Sequence, residues 1–190
     1  MLSWFIRRKL EAFERQHGYD ASYLHEVLDI DPAAFMKFSR ATALAAYRKD
    51  VPADVYCGAS LTSSLMADCG PCTQLGVGLA LQAGVAAGTI AAIIRGDDQA
   101  MPPDVALAAR FARAVLARDE QADRHREEIQ NRWGDRALLS LAFGIMATQL
   151  YPTLKYALGH GKACTRVMVE GQAVSPPRPA AAGPALGYGR

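Results

Sequence analysis

Apolar residues recur at three- and four-residue steps along most of this 190-residue chain, and no long apolar–polar alternation interrupts them. That spacing stacks apolar side chains on one face of a helix, so its persistence predicts an all-α protein. Leu2, Ile6, Leu10 and Phe13 share one face of a first helix. Tyr19 to Leu28 and Pro32 to Arg48 follow, with Asp31 placed to cap the second of these and Pro32 suited to its first turn. Pro52 breaks the chain before a helix over Ala53 to Met66. Asp104 is expected to cap an amphipathic helix in which Val105, Leu107, Ala108, Phe111, Ala112, Val115 and Leu116 recur. Asp119 to Trp133 is a solvated, charged helix. Gly134 ends it, Asp135 caps an apolar one, and Pro152 kinks or ends that.

These signals divide the chain into N-terminal helices over 1–50, a core over 51–172, and a Pro-, Ala- and Gly-rich tail over 173–190. With 51% apolar and 21% charged residues, a wholly disordered chain is excluded. A net charge of +2 supplies no general attraction to nucleic acid, and no nucleic-acid partner is assigned. The first residues place apolar Leu2, Trp4 and Phe5 before Arg7, Arg8 and Lys9, the reverse of a secretory signal. A docked surface helix is the simpler reading, and a membrane-surface helix the alternative. Leu75 to Ile94 is long and apolar enough to resemble a membrane span. Its glycines, with Gly84 placed as a stop, predict two short packed helices instead. No membrane span is assigned, and a reducing cytoplasm is the expected location. The small-residue helices around Gly84 and Gly88 invite a homo-oligomer.

The chemistry centres on Asp68-Cys69-Gly70-Pro71-Cys72. Two cysteines three apart at a helix start can close a small disulfide ring. The unpaired N–H groups and partial positive charge of that helix end favour thiolate, the form that attacks peroxides and disulfides. A Cys-x-x-Cys pair also reads as half a zinc site, for which Cys57, Cys164 and His160 would have to converge, or as structural cysteines. No thioredoxin-like strand precedes the pair.

Residues from about 61 to 95 resemble the core motif of the alkylhydroperoxidase D-like, or carboxymuconolactone decarboxylase, superfamily. The likeness rests on Cys69-Gly-Pro-Cys72, then Ala80-Leu-Gln-Ala83-Gly84-Val85, then Ile90-Ala-Ala-Ile93. It implies a helical bundle, here with an extra N-terminal helical layer, and an oligomer. It also implies a peroxide-reactive Cys72 resolved by Cys69; separately, no cofactor and no metal are assigned. Thioredoxin logic reverses the two roles. Two family positions are changed. Gly76 stands four residues after the second cysteine, where the family has histidine, and Cys57 stands twelve before the first, where it has glutamate.

Residues weighed as substitutes for that lost relay are Asp68 (a helix cap or nearby carboxylate), Cys57 (an exchanging or merely buried thiol), His160 in a glycine-flanked loop, and Lys155 (which by default snorkels). The expectation is a thiol–disulfide oxidoreductase or peroxidase-like protein whose partner is a small-molecule peroxide or a protein disulfide. The competing expectations are a decarboxylase-like, non-redox enzyme and a non-catalytic helical scaffold.

Overall fold

The structure, a computed structural model, describes residues 2–162 and 166–177. Among them, eight α-helices and one two-stranded hairpin make an all-α fold. Three helices form an N-terminal layer: α1 (Leu2–His17), α2 (Ser22–Ile30) and α3 (Pro32–Thr42). The Asp31 carboxylate accepts the Ala33 N–H at 2.7 Å, and Pro32 sits in the first turn of α3, as the sequence requires. Tyr23, Leu28 and Phe35 of this layer pack on Leu75, Tyr151 and Leu154 of the core. Helix α1 docks through half-buried Ile6, Leu10 and Phe13, and leaves Leu2, Trp4 and Phe5 exposed.

The core holds α4 (Ala53–Met66), α5 (Gly70–Gln82), α6 (Ala87–Arg95), α7 (Pro103–Ala117) and α8 (Gln121–Ala157). Helix α4 is central and touches all four others. One side of it joins Leu61 to Val77, Ile90 and Ile93. The other joins Val55 to Leu107, Ile129 and Leu141. Each such fully buried aliphatic side chain contributes about 1.5–3 kcal/mol.

The apolar stretch from 75 to 94 is two helices, parted at Gly84, whose φ of +80° only glycine adopts without strain. Among the described residues, α8 alone is long and apolar enough to cross a membrane, by length and composition. It is bent at Gly134 (φ 80°, ψ 178°), and its Leu141 and Ile145 lie in the core against α4 and α7.

Three local expectations need correction. Pro102 takes the cap position of α7, because a second proline follows it and opens the helix two residues early. Asp104 therefore falls inside the first turn, where it pairs with Arg132. Pro152 does not end its helix, which runs on to Ala157 with the proline buried. A hairpin that the sequence did not announce, β1 (Val167–Val169) with β2 (Gln172–Val174), pairs Val167 with Val174 across a tight turn at Glu170–Gly171. Val167, Val169 and Val174 bury against the α4–α6 cluster, so the region assigned to the tail begins inside a strand. Residues 178–190 of that tail lie outside the described residues.

Candidate active site

The cysteine pair opens α5. Cys69 is its N-cap residue, Pro71 lies in the first turn, and the two Cα atoms are 5.3 Å apart in a disulfide. The start of α5 is held on three sides. Its Gly70 N–H donates to the Lys162 carbonyl at 3.1 Å, and Thr73 Oγ1 lies 3.0 Å from Ser64 Oγ at the end of α4. The Gln74 side chain bonds both backbone groups of Met168 in the hairpin, at 3.0 and 2.7 Å.

The two sulfurs have different surroundings. Cys69 is fully buried, whereas Cys72 is partly exposed and lines a cavity of about 420 Å³ between the N-terminal layer and the core. At that end of the cavity, Tyr19 Oη lies 3.8 Å from Cys72 Sγ and 3.2 Å from Tyr23 Oη. Burial raises both phenols, Tyr19 to about 12 and Tyr23 further still. Either hydroxyl can donate in the tyrosine pair, so the Tyr19 O–H can be turned toward the sulfur when Tyr23 donates to it. Lys155 sits 4.4 Å from the Tyr19 ring centroid and 4.8 Å from that of Tyr23, over both rings. Only 3% exposed, its ammonium is lowered from the ordinary lysine range by burial, against an opposing pull from Asp20.

Each candidate from the sequence now has a place. Lys155 does not snorkel, because the ring faces of two buried tyrosines hold its charge inside. Asp68 is not the cap of α5. It lies one residue before the cap with φ 48°, and its carbonyl accepts the Tyr156 hydroxyl at 2.9 Å. His160 is drawn toward α2, with Nε2 2.6 Å from Glu26 and Nδ1 3.3 Å from Ser22 Oγ. Cys57 lines the same cavity as Cys72 but is buried, and burial pushes its thiol up to about 12. Gly76, like Cys57, lines that cavity, so the two positions where histidine and glutamate were looked for both front it, without a base. A side chain at Gly76 would begin 2.7 Å from Leu61 Cδ2.

No cluster of three metal-ligating side chains occurs among the described residues, and Cys164 lies outside them. Tyr19 and Tyr23 are the residues that sequence reasoning missed. They are 53 and 49 positions before Cys72, in a layer that carries no motif of its own. No known protein family, curated protein or solved structure matches the chain.

Proposed function

We propose that the protein is a thiol–disulfide oxidoreductase of peroxidase type, in which Cys72 is the attacking sulfur and Cys69 resolves it. One observation carries this reading: Cys72 opens onto a cavity with a phenol 3.8 Å from its sulfur, while its bonding partner lies buried behind it. From the reduced pair, the Cys72 thiol loses its proton to solvent, favoured by its place in the first turn of α5. The thiolate attacks the terminal oxygen of a hydroperoxide. An S–O bond forms, the O–O bond breaks, and the departing alkoxide takes the Tyr19 proton, which solvent replaces. The Cys69 sulfur then attacks the Cys72 sulfenic acid, and water leaves as the S–S bond closes. One hydroperoxide and two thiols become one alcohol, one water and one disulfide. A small dithiol, or two monothiols, restores the pair and is itself oxidised to a disulfide.

Both phenols are raised by burial, so they stay protonated at neutral pH and can donate hydrogen bonds but not act as bases. That takes over one half of the relay for which histidine and glutamate were sought. The decarboxylase-like alternative gains no support, since no carboxylate or imidazole is among the side chains lining the cavity. A purely structural disulfide is favoured by one observation, the complete burial of Cys69.

The test is the reaction of the fully reduced protein with cumene hydroperoxide, followed by thiol titration. The expected result is two thiols lost per peroxide, at least about tenfold faster than free cysteine at the same pH. A rate no higher than that of free cysteine overturns the proposal and leaves the structural disulfide.

A further inference from the structure

The cavity beside Cys72 extends well beyond what the thiol chemistry needs. It follows the α4–α5 hairpin from Ala53 and Ala83 at one end to Ser64 and Cys72 at the other. At the helical rise of about 1.5 Å per residue, the steps from Ala53 to Ser64 cover about 16 Å. Its walls are mostly apolar, with scattered hydroxyls, and one charged side chain, Arg48, is among those lining it. Arg48 stands at the end far from the cysteines. Its guanidinium carbon is 4.3 Å from the Tyr56 ring centroid, and its Nε donates to the Ala45 carbonyl at 3.2 Å. The Tyr56 hydroxyl donates to that same carbonyl at 2.9 Å, which fixes the ring on which Arg48 lies. Nε is thereby used. The guanidinium also acts on the Tyr56 hydroxyl, opposing the rise that burial gives it, but it forms no ion pair with any described residue and so keeps a charge that a carboxylate can match.

A long, mostly apolar cavity with one cation at one end selects for both shape and charge. Hydrocarbon walls reward a chain of methylenes, and a single guanidinium rewards one anionic head. Two-chain lipids exceed a cavity of about 420 Å³, and short acids leave most of it unfilled.

We propose that this cavity binds a single-chain carboxylic acid of medium length, with its carboxylate on Arg48 and its chain running along α4 toward Cys72. The binding does not depend on the redox chemistry. That a hydroperoxide of such an acid is what Cys72 reduces rests on the peroxidase reading above.

The experiment is calorimetric titration of the oxidised full-length protein with dodecanoate below its aggregation concentration, beside dodecanol and butanoate. Dodecanoate is expected to bind at least about tenfold more tightly than either, the value of one charge-assisted pair at a partly exposed site. Arg48→Gln, at an exposed position whose contacts are the Tyr56 ring and the Ala45 carbonyl, is expected to remove the preference over dodecanol and leave the folded signal intact. Equal binding of the acid and the alcohol overturns the proposal, as does no binding of dodecanoate. Thiol reactivity toward the small probe tert-butyl hydroperoxide is measured on the same preparations. If dodecanoate binds and the thiols are inert, the peroxidase reading fails alone. If the thiols react and dodecanoate does not bind, this inference fails alone.

Discussion

Cys57 and Cys72 line one cavity and belong to neighbouring helices, yet their surroundings are opposite. Cys57 lies in the second turn of α4, within the core cluster that holds Leu61, Val77 and Ile90, and burial pushes its thiol up to about 12. Cys72 lies in the first turn of α5, partly exposed, with the Tyr19 hydroxyl 3.8 Å from its sulfur. The same side chain is thus an inert hydrophobe in one place and a candidate nucleophile in the other. Position along a helix and access to a polar neighbour separate them, since residue type does not.

The sharpest way to break this contrast is to remove each sulfur in turn. Cys72→Ala is expected to abolish peroxide consumption by the reduced protein and to leave Cys69 slow to alkylate. Cys57→Ala is expected to leave the peroxide rate within about twofold and to cost about 1 kcal/mol of stability for the small void. Iodoacetamide labelling with mass spectrometry reads the first, and urea unfolding the second. Loss of peroxide consumption in Cys57→Ala would invert the comparison.

A smaller effect is expected at Tyr19, and it has two readouts. Tyr19→Phe removes the proton donor and is expected to slow the peroxide reaction by about a hundredfold. It also changes how stability depends on pH. The folded pKa of Tyr19 is raised above its ordinary value of 10.0 to about 12. Its contribution is therefore whole below about pH 10 and is lost as pH climbs through about 12, up to about 3 kcal/mol. Lys155 has the opposite sign. Its folded pKa is lowered, so the burial penalty acts in full at neutral pH and is relieved as pH rises toward the ordinary lysine value of 10.5. Urea unfolding from about pH 9 to about pH 12 is expected to show stability falling at the alkaline end in the native protein, and a shallower fall in Tyr19→Phe. An unchanged slope would mean that the Tyr19 hydroxyl is not buried against Cys72.

What could be read from the sequence, and what could not, follows the range of the interactions involved. Asp31 with Pro32, and Gly84 before Ala86, declare a helix start and a helix break within a few residues, so both were legible. The Cys69–Cys72 pair was legible for the same reason, whereas positions 57 and 76 were singled out only through the family resemblance, and both line the cavity. Asp104 was misplaced because two successive prolines shift the cap by two residues. The hairpin was missed because three residues per strand are too few to show an alternation. Tyr19 meets Cys72, and Tyr23 and Lys155 meet Tyr19, only after the N-terminal layer has docked on α5 and α8. No local spacing announces a meeting made by packing. Lys155 on an apolar stretch looked like a snorkelling lysine, because the rings that hold its charge lie more than a hundred residues earlier.

The smallest expected effect tests whether the missing side chain at Gly76 is what keeps the cavity open. Alanine is a better helix former than glycine by about 1 kcal/mol. Against that gain, its Cβ would lie 2.7 Å from Leu61 Cδ2, so Leu61 must move. Overpacking in a filled core costs about 1–3 kcal/mol. Here Leu61 lines the cavity and can swing its end into open space, which places the cost at the low end of that range. The two terms nearly cancel, and Gly76→Ala is expected to unfold within about 1 kcal/mol of the native protein. Its reaction with tert-butyl hydroperoxide is expected to be unchanged, because Tyr19 supplies the proton from the other wall. Chemical denaturation and the peroxide rate, measured together, decide the matter. A loss of several kcal/mol would show that Leu61 has nowhere to go, and that the space between Cys57 and Cys72 is packed rather than open.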